Sequence, residues 1–224
     1  MLAALVARRL TGEPLAWITG GADFCGLRVC VHPGVYVPRP HSEGLARRAA
    51  ARLPAGGLAV DLCTGSGAIA RVLADAHPSA RVIGTDADER AVACARDNRV
   101  EALLGDLFAP LPPGLEGRAG VVVAVVPYVP SADLPLLQRD TLSFESARHY
   151  DGGPDGLAIL RQVVAEAPCW LRQDGALLLE LGRGQAEALD ADLARAGFMD
   201  IATLTDADGD VRGVEATLNG RTSI

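Results

Sequence analysis

Strand-like and helix-like segments alternate through the middle of the chain, and this alternation limits the possible folds more than any other feature. Short apolar runs with β-branched residues are typical of buried strands, as in GLAVDL (57–62), ARVIGTD (80–86) and GVVVAVV (120–126). Helical spacing of apolar residues occurs between them, in SGAIARVLADAH (66–77) and ERAVACARDN (89–98). This order predicts parallel strands joined by helical crossovers, with helices on both faces of one sheet.

The two ends of the chain add antiparallel elements to this sheet. FMDIATLTD (198–206) and VRGVEATL (211–218) predict a closing antiparallel strand pair. Near the start, FCGLRVCV (24–31) and GVYVP (34–38) predict a hairpin that lies over the ligand site. A long loop is expected at about 127–153, directly after the β-branched run. The sequence therefore predicts one α/β unit with a short N-terminal cover.

The composition argues against several classes of function. The formal net charge is −7 and no basic arm or stripe is present, which argues against nucleic-acid binding. No apolar run approaches the roughly 18 to 20 residues that a membrane span requires. The cysteines number five and form no C-x-x-C pattern, so neither a disulfide framework nor a metal site is expected. We expect a cytoplasmic protein without a membrane or nucleic-acid partner.

A glycine turn, DLCTGSGAIA, directly follows the first strand of the alternating region. Ligands of open α/β sheets bind beyond the carboxyl ends of the strands. Gly65 and Gly67 permit a tight turn and a close backbone approach, and the following helix offers unpaired N–H groups. The spacing Gly65-x-Gly67-x-x-Ala70 also fits the fingerprint of dinucleotide-binding proteins. The turn thus predicts a nucleotide cofactor, either a nicotinamide dinucleotide or S-adenosylmethionine.

Three aspartates at the ends of three successive strands distinguish these two cofactors. Asp61 stands four residues before Gly65, and Asp86 and Asp106 end the next two strands. A carboxylate at Asp61 would repel a pyrophosphate, but it could hold the cationic amino group of S-adenosylmethionine directly or through water. Asp86 would take the ribose hydroxyls, and Asp106 would lie at the adenine edge. These three aspartates favour S-adenosylmethionine over a dinucleotide. The alternative is that they are ordinary capping residues of their turns.

Four stretches in this order, DLCTGSGAIA, TDADERAVACARDN, GDLF and VPYVP, resemble the HemK/PrmC protein-(glutamine-N5) methyltransferases. The F-x-G-L pattern at 24–27 and the P-R-P at 38–40 are similar to that family as well, and the similarity covers roughly residues 12–218. The resemblance implies a Rossmann-like class I methyltransferase with a mostly parallel seven-stranded sheet and an antiparallel C-terminal strand pair. Residues 1–53 would form a helix and hairpin cover, and residues 54–224 the catalytic domain that binds S-adenosylmethionine.

The resemblance also implies roles for individual residues. The methionine moiety of the donor would be lined by Cys63, Thr64, Gly65, Ser66 and Gly67. Asp86 would hold the ribose, and Asp106 and Leu107 would flank the adenine. Pro127 and Tyr128 would belong to the substrate motif N-P-P-Y, in which the Asn side chain and a Pro carbonyl grip the target amide.

The chain departs from the family pattern most clearly at that motif. Val125 stands where the motif has Asn, and an isopropyl group accepts no hydrogen bond. Leaving a buried amide group unpaired costs roughly 1–3 kcal/mol. Cys63 replaces a usual Gly, and Glu145-Ser146 stands where the following loop often has Glu-Pro. Only about twenty residues precede the family-like segment, where family members carry a docking domain for a large protein substrate.

These departures predict an acceptor other than release-factor glutamine. We expect a methyltransferase that uses S-adenosylmethionine to N-methylate an amino acid, a peptide or a small molecule. Val125, Pro127 and Tyr128 would be its catalytic residues, with Tyr128 packed beside the sulfonium of the donor. Two alternatives stay open: non-methyl or intramolecular chemistry on S-adenosylmethionine, such as cyclisation, and a non-catalytic protein that binds S-adenosylmethionine.

Overall fold

The computed structural model of the protein describes residues 2–137 and 143–220, so part of the predicted loop at 127–153 lies outside the described residues. The strands in chain order are β1 (Gly21–Phe24), β2 (Leu27–Cys30), β3 (Leu58–Leu62), β4 (Arg81–Asp86), β5 (Glu101–Leu104), β6 (Ala119–Ala124), β7 (Leu171–Glu180), β8 (Phe198–Thr205) and β9 (Val211–Leu218). The main α-helices in chain order are α1 (Leu2–Leu10), α2 (Leu15–Thr19), α3 (Glu43–Arg52), α4 (Ala68–Ala76), α5 (Glu89–Asp97), α6 (Ala158–Trp170) and α7 (Gln185–Arg195). Within the described ranges, no helix is both long and apolar enough to cross a bilayer.

Strands β3 to β9 form one seven-stranded sheet in the order β5-β4-β3-β6-β7-β9-β8. The strands from β5 through β7 are parallel to one another. Strand β9 runs antiparallel to both β7 and β8. The predicted fold class is therefore confirmed. The strand order reverses between β3 and β6, and the carboxyl ends of these two strands are where ligands of such sheets bind.

The central strands β3 and β6 are buried along their whole length, because helices cover both faces of the sheet. Alternate residues of β3 enter two different cores. Val60 and Leu62 pack with residues of α6 and α7 on one face. Ala59 packs on the other face with residues of α3, α4 and α5. This two-sided burial explains why these strands read as mostly apolar runs in the sequence, with Asp61 as the charged residue of β3.

The N-terminal hairpin exists, but its strands differ from the predicted ones. Strand β1 pairs antiparallel with β2, and Phe24 lies opposite Leu27. The two residues between them, Cys25 and Gly26, have φ values of 50° and 79°. Positive φ at both central positions is the requirement of a type I′ turn, which matches the twist of a two-stranded hairpin. The predicted strand at 24–31 therefore contains the turn, and its pairing with 34–38 is wrong.

Hydrogen bonds fix this hairpin to the rest of the chain. The Asn98 side chain accepts a hydrogen bond from Cys30 N and donates one to Cys30 O, both at 2.8 Å. The Trp17 indole donates to Val35 O at 3.0 Å. Helix α3 packs in the same core as the sheet. The hairpin is thereby held beside α5, next to the carboxyl ends of the strands. The division of the chain into two domains at residue 53 stays a prediction.

Candidate active site

A cavity of about 650 Å³ lies at the carboxyl ends of β3, β4 and β6. Its volume is within the range of ordinary ligand sites. It brings together most of the residues predicted for the site, namely Cys63, Gly65, Asp86, Asp106, Leu107, Val125, Pro127 and Tyr128. The N-terminal cover and the loop before α6 close its far side with Tyr36, Arg39, His41, His149 and Tyr150.

Four predicted residues do not line the cavity: Asp61, Thr64, Ser66 and Gly67. Asp61 is 2% exposed, and its Oδ2 accepts hydrogen bonds from Thr64 Oγ1 at 2.6 Å and Ala70 N at 3.0 Å. Burial raises the pKa of the Asp61 carboxyl to about 7. Asp61 therefore stabilises the glycine turn from beneath, by tying it to the first turn of α4.

Gly67 and Gly65 are both needed in the turn, but for different reasons. Both have positive φ, at 77° and 57°. A Cβ on Gly67 would come within 2.9 Å of Val100 Cγ2 and 3.0 Å of Ala95 Cβ, so the turn packs closely on α5. A Cβ on Gly65 would meet nothing within 4 Å, because this glycine faces the open cavity. Gly67 therefore serves packing, and Gly65 leaves room beside the backbone for a ligand.

Asp86 joins the end of β4 to the glycine turn and still faces the cavity. Its Oδ2 accepts from Gly65 N and its Oδ1 from Asp88 N, each at 2.9 Å. A carboxylate has about four lone-pair sites, so each oxygen keeps a free one for a ligand. Burial raises the pKa of this carboxyl, although the two backbone N–H donors oppose the rise.

The Cys63 thiol is a neutral part of the cavity wall. Burial raises its pKa above the usual range, and the nearby carboxylates of Asp86, Asp61 and Asp106 raise it further. Cys63 also has a φ of 52°, a conformation that glycine adopts more easily. Cys63 can therefore replace the usual Gly at this position, at the expense of a strained backbone, and it adds an uncharged thiol to the wall.

Glu180 and Gln185, which are not among the predicted site residues, hold the segment after β6 in place. Tyr128 Oη donates to Glu180 Oε1 at 3.1 Å. Gln185 Nε2 donates to Tyr128 O at 2.8 Å, and Gln185 Oε1 accepts from Gly182 N at 2.8 Å. The sequence does carry a signal for Glu180, because a carboxylate interrupts the apolar strand LLLEL.

A buried carboxylate ties the P-R-P segment to the loop before α6. Glu145 accepts hydrogen bonds from the Arg39 guanidinium, from the Tyr150 hydroxyl and, at 3.1 Å, from Val37 N. The guanidinium carbon of Arg39 also lies 4.9 Å from the ring centroid of Tyr36. These contacts make Glu145 an ion-pair partner that holds Arg39 and Tyr150, two residues of the cavity wall.

His149 lines the cavity from the loop before α6. Burial lowers the pKa of its imidazole, which favours the neutral ring. Its neighbour Arg148 pairs with the Asp88 carboxylate, which also caps α5 through Arg90 N. This pairing holds the loop beside the end of β4.

Comparison with known proteins agrees with this geometry. The family described as Methyltransferase small domain matches residues 26–105. The release factor glutamine methyltransferase of Geobacter sulfurreducens is 39% identical over 97% of this chain and 76% of its own length. That of Mycolicibacterium smegmatis is 39% identical over 95% of this chain and 78% of its own length. The chain belongs to the release factor glutamine methyltransferase family. It is an S-adenosylmethionine-dependent methyltransferase.

Solved structures show the same fold. The release factor-specific protein-(glutamine-N5) methyltransferase of Alicyclobacillus acidocaldarius has a TM-score of 0.51 and 26% identity, covering 82% of this chain and 94% of that one. A methyltransferase of Pyrococcus furiosus has a TM-score of 0.65 and 20% identity, covering 97% of this chain and 99% of that one. The recognition of the HemK/PrmC family from the motifs is therefore confirmed.

The relatives contradict the predicted acceptor. Val125 and the short segment before the family-like region favoured an amino acid, a peptide or a small molecule as the acceptor. Relatives at 33% to 41% identity over most of the chain are instead named release factor glutamine methyltransferases. The prediction that disfavoured a release factor is wrong. One lost hydrogen-bond acceptor costs roughly 1–3 kcal/mol, which other contacts in a preorganised site can offset.

Proposed function

We propose that this methyltransferase transfers the methyl group of S-adenosylmethionine to the side-chain amide nitrogen of a glutamine in a peptide-chain release factor. The observation that carries the proposal is the 39% identity to a release factor glutamine methyltransferase across 97% of the chain. The predicted residues that line one cavity add support, because that cavity can hold a nucleoside donor beside an amide acceptor.

The residues at the ends of β3, β4 and β5 fit the donor. Gly65 leaves open space where a side chain would stand, and Asp86 keeps a free lone-pair site on each oxygen for a ribose diol. Asp106 and Leu107 line the cavity next along the sheet edge, where the adenine would lie. Cys63 would border the methionine moiety, whereas Thr64, Ser66, Gly67 and Asp61 would act through the shape of the turn.

The residues after β6 fit the acceptor. When bound, S-adenosylmethionine supplies an electrophilic methyl group on a sulfonium. Val125, Pro127 and Tyr128 would hold the target amide in line with that group, which is the main requirement for a weak nucleophile. As the new N–CH3 bond forms, the methyl–sulfur bond would break to leave S-adenosylhomocysteine, and the amide would release one proton to water. Hydrogen-bond acceptors in this segment would stabilise the positive charge that develops on the amide.

The test is methylation of a purified release factor. The chain is incubated with S-adenosylmethionine and a release factor of the same organism, and tandem mass spectrometry locates any added methyl group. We expect one methyl group on a single glutamine side chain, and none when that glutamine is replaced by Ala. Calorimetric titration with S-adenosylhomocysteine provides the control for an intact donor site. Donor binding without any glutamine methylation would refute the proposed acceptor.

A further inference from the structure

Tyr128 lines the cavity, and its hydroxyl donates its proton to the carboxylate of Glu180. Glu180 is the last residue of β7 and is 1% exposed. Its Oε1 lies 3.1 Å from Tyr128 Oη and 3.3 Å from His41 Nε2. In this contact the Tyr128 hydroxyl donates and the carboxylate oxygen of Glu180 accepts. The lone pairs of the hydroxyl are then the part left for a ligand.

Two of the backbone carbonyls near Tyr128 have close neighbours. The Tyr128 carbonyl accepts a hydrogen bond from Gln185 Nε2. The Pro127 carbonyl lies against Gly152, where an added Cβ would come within 2.8 Å of its oxygen. The side chain of Val125 offers no polar atom. A primary amide has two N–H groups to place, and a polar side chain of the same segment can accept the one that the backbone does not take.

We propose that Tyr128 Oη, with its proton committed to Glu180, accepts an N–H of the target amide and so replaces the acceptor that Val125 lacks. Glu180 is a positioning residue in this arrangement, since it sets the direction of the hydroxyl without reaching the amide. The inference rests on the proposed function, because it concerns the glutamine acceptor of the same site.

The burial of Glu180 is consistent with such a role. Within the described part of the chain, its Oε2 has no hydrogen-bond partner. An incompletely paired buried carboxylate destabilises a fold, so its presence beside a cavity points to a task in the site. His41 Nε2 contacts the same carboxylate oxygen, Oε1, and His41 lines the cavity as well.

The experiment uses Tyr128→Phe, Val125→Asn and their double variant, assayed with the release factor. Tyr128→Phe should lower kcat roughly 5- to 150-fold, the loss expected for one unpaired amide hydrogen bond, with unchanged affinity for S-adenosylhomocysteine. Adding Val125→Asn should restore most of this loss, because the new amide oxygen supplies the missing acceptor. Glu180→Gln should also lower kcat, and combining it with Tyr128→Phe should cost little more, since both changes remove the same interaction.

The matched control is Tyr150→Phe. Tyr150 also donates its hydroxyl proton to a buried carboxylate, that of Glu145, but on the cover side of the cavity. Val125→Asn should not restore any activity that this variant loses. A folded Tyr128→Phe enzyme with wild-type kcat would overturn the inference. A loss that Val125→Asn fails to restore would also overturn it.

Calorimetric binding of a glutamine-containing release-factor peptide, with S-adenosylhomocysteine present, separates the two proposals. If the wild type binds this peptide without methylating the release factor, and Tyr128→Phe weakens binding, the inference stands and the proposed function falls. If the wild type methylates the release factor and Tyr128→Phe changes neither peptide binding nor kcat, the proposed function stands and the inference about Tyr128 falls. A wild type that neither methylates the release factor nor binds the peptide overturns both.

Discussion

Replacement of Asp86 by Asn tests the centre of the proposed donor site with the smallest change in shape. The wild-type carboxylate accepts one backbone N–H on each oxygen, from Gly65 and from Asp88. Asn has a single acceptor oxygen, and its NH₂ group must face one of these two donors. The variant therefore loses the negative charge toward the ribose and leaves one backbone N–H without an acceptor.

The size of both effects follows from these contacts. A hydrogen bond to a charged group contributes about 1.5–3 kcal/mol, so losing one ribose contact should raise the Kd roughly 10- to 150-fold. The unpaired backbone N–H should lower the free energy of unfolding by about 1–3 kcal/mol. Because burial raises the pKa of Asp86, wild-type donor affinity should also fall as the pH is lowered through that pKa. The Asn variant should lack this pH dependence.

Titration calorimetry with S-adenosylhomocysteine and thermal unfolding without ligand measure the two effects separately. Asp97→Asn is the matched control, since this exposed aspartate ends α5, the helix that follows β4, lies outside the cavity and pairs with His32. It should leave donor affinity unchanged. A folded Asp86→Asn protein with wild-type affinity at every pH would refute the assignment of the ribose contact.

Three further predictions concern the frame of the site. Gly67→Ala should lower the melting temperature more than Gly65→Ala does, because its Cβ would come within 2.9 Å of Val100 Cγ2. Gly65→Ala should instead weaken donor binding, measured by calorimetry, more than it lowers stability. The opposite ranking of the two variants would contradict the assigned roles. Glu145→Ala should destabilise the fold by about 3–5 kcal/mol in chemical denaturation, since the partly buried guanidinium that it pairs would lose its carboxylate, and Glu145→Gln should cost less. Asp61 has a folded pKa of about 7, above its unfolded value of about 4, so the folded state binds the extra proton and stability should fall as the pH rises across that window. Asp61→Asn should flatten this slope in melting temperature, and an unchanged slope would show that another group is responsible.

Local patterns were sufficient for the sheet, and they indicated several residues that line the cavity at the ends of β3 and β4. The alternation of apolar runs predicted the parallel strands, because burial on both faces leaves few polar positions in β3 and β6. The turn with Gly65 and the aspartate at the end of β4 were also recognisable, because each stands at a fixed offset from a strand end. The hairpin turn was missed, since Cys25 carries none of the usual signals of a type I′ turn.

The sequence by itself therefore determined the order of strands and helices, the glycine turn and the family, since each depends on residues that are neighbours in the chain. Only the tertiary structure decided that Asp61 lies beneath the turn instead of facing the cavity, and that Glu180 and Gln185 hold Tyr128. Tyr128 and Glu180 are 52 residues apart, and Arg39 and Glu145 are 106 apart. Such pairs meet because the sheet places β6 beside β7 and the cover beside the loop before α6. No local spacing encodes that juxtaposition.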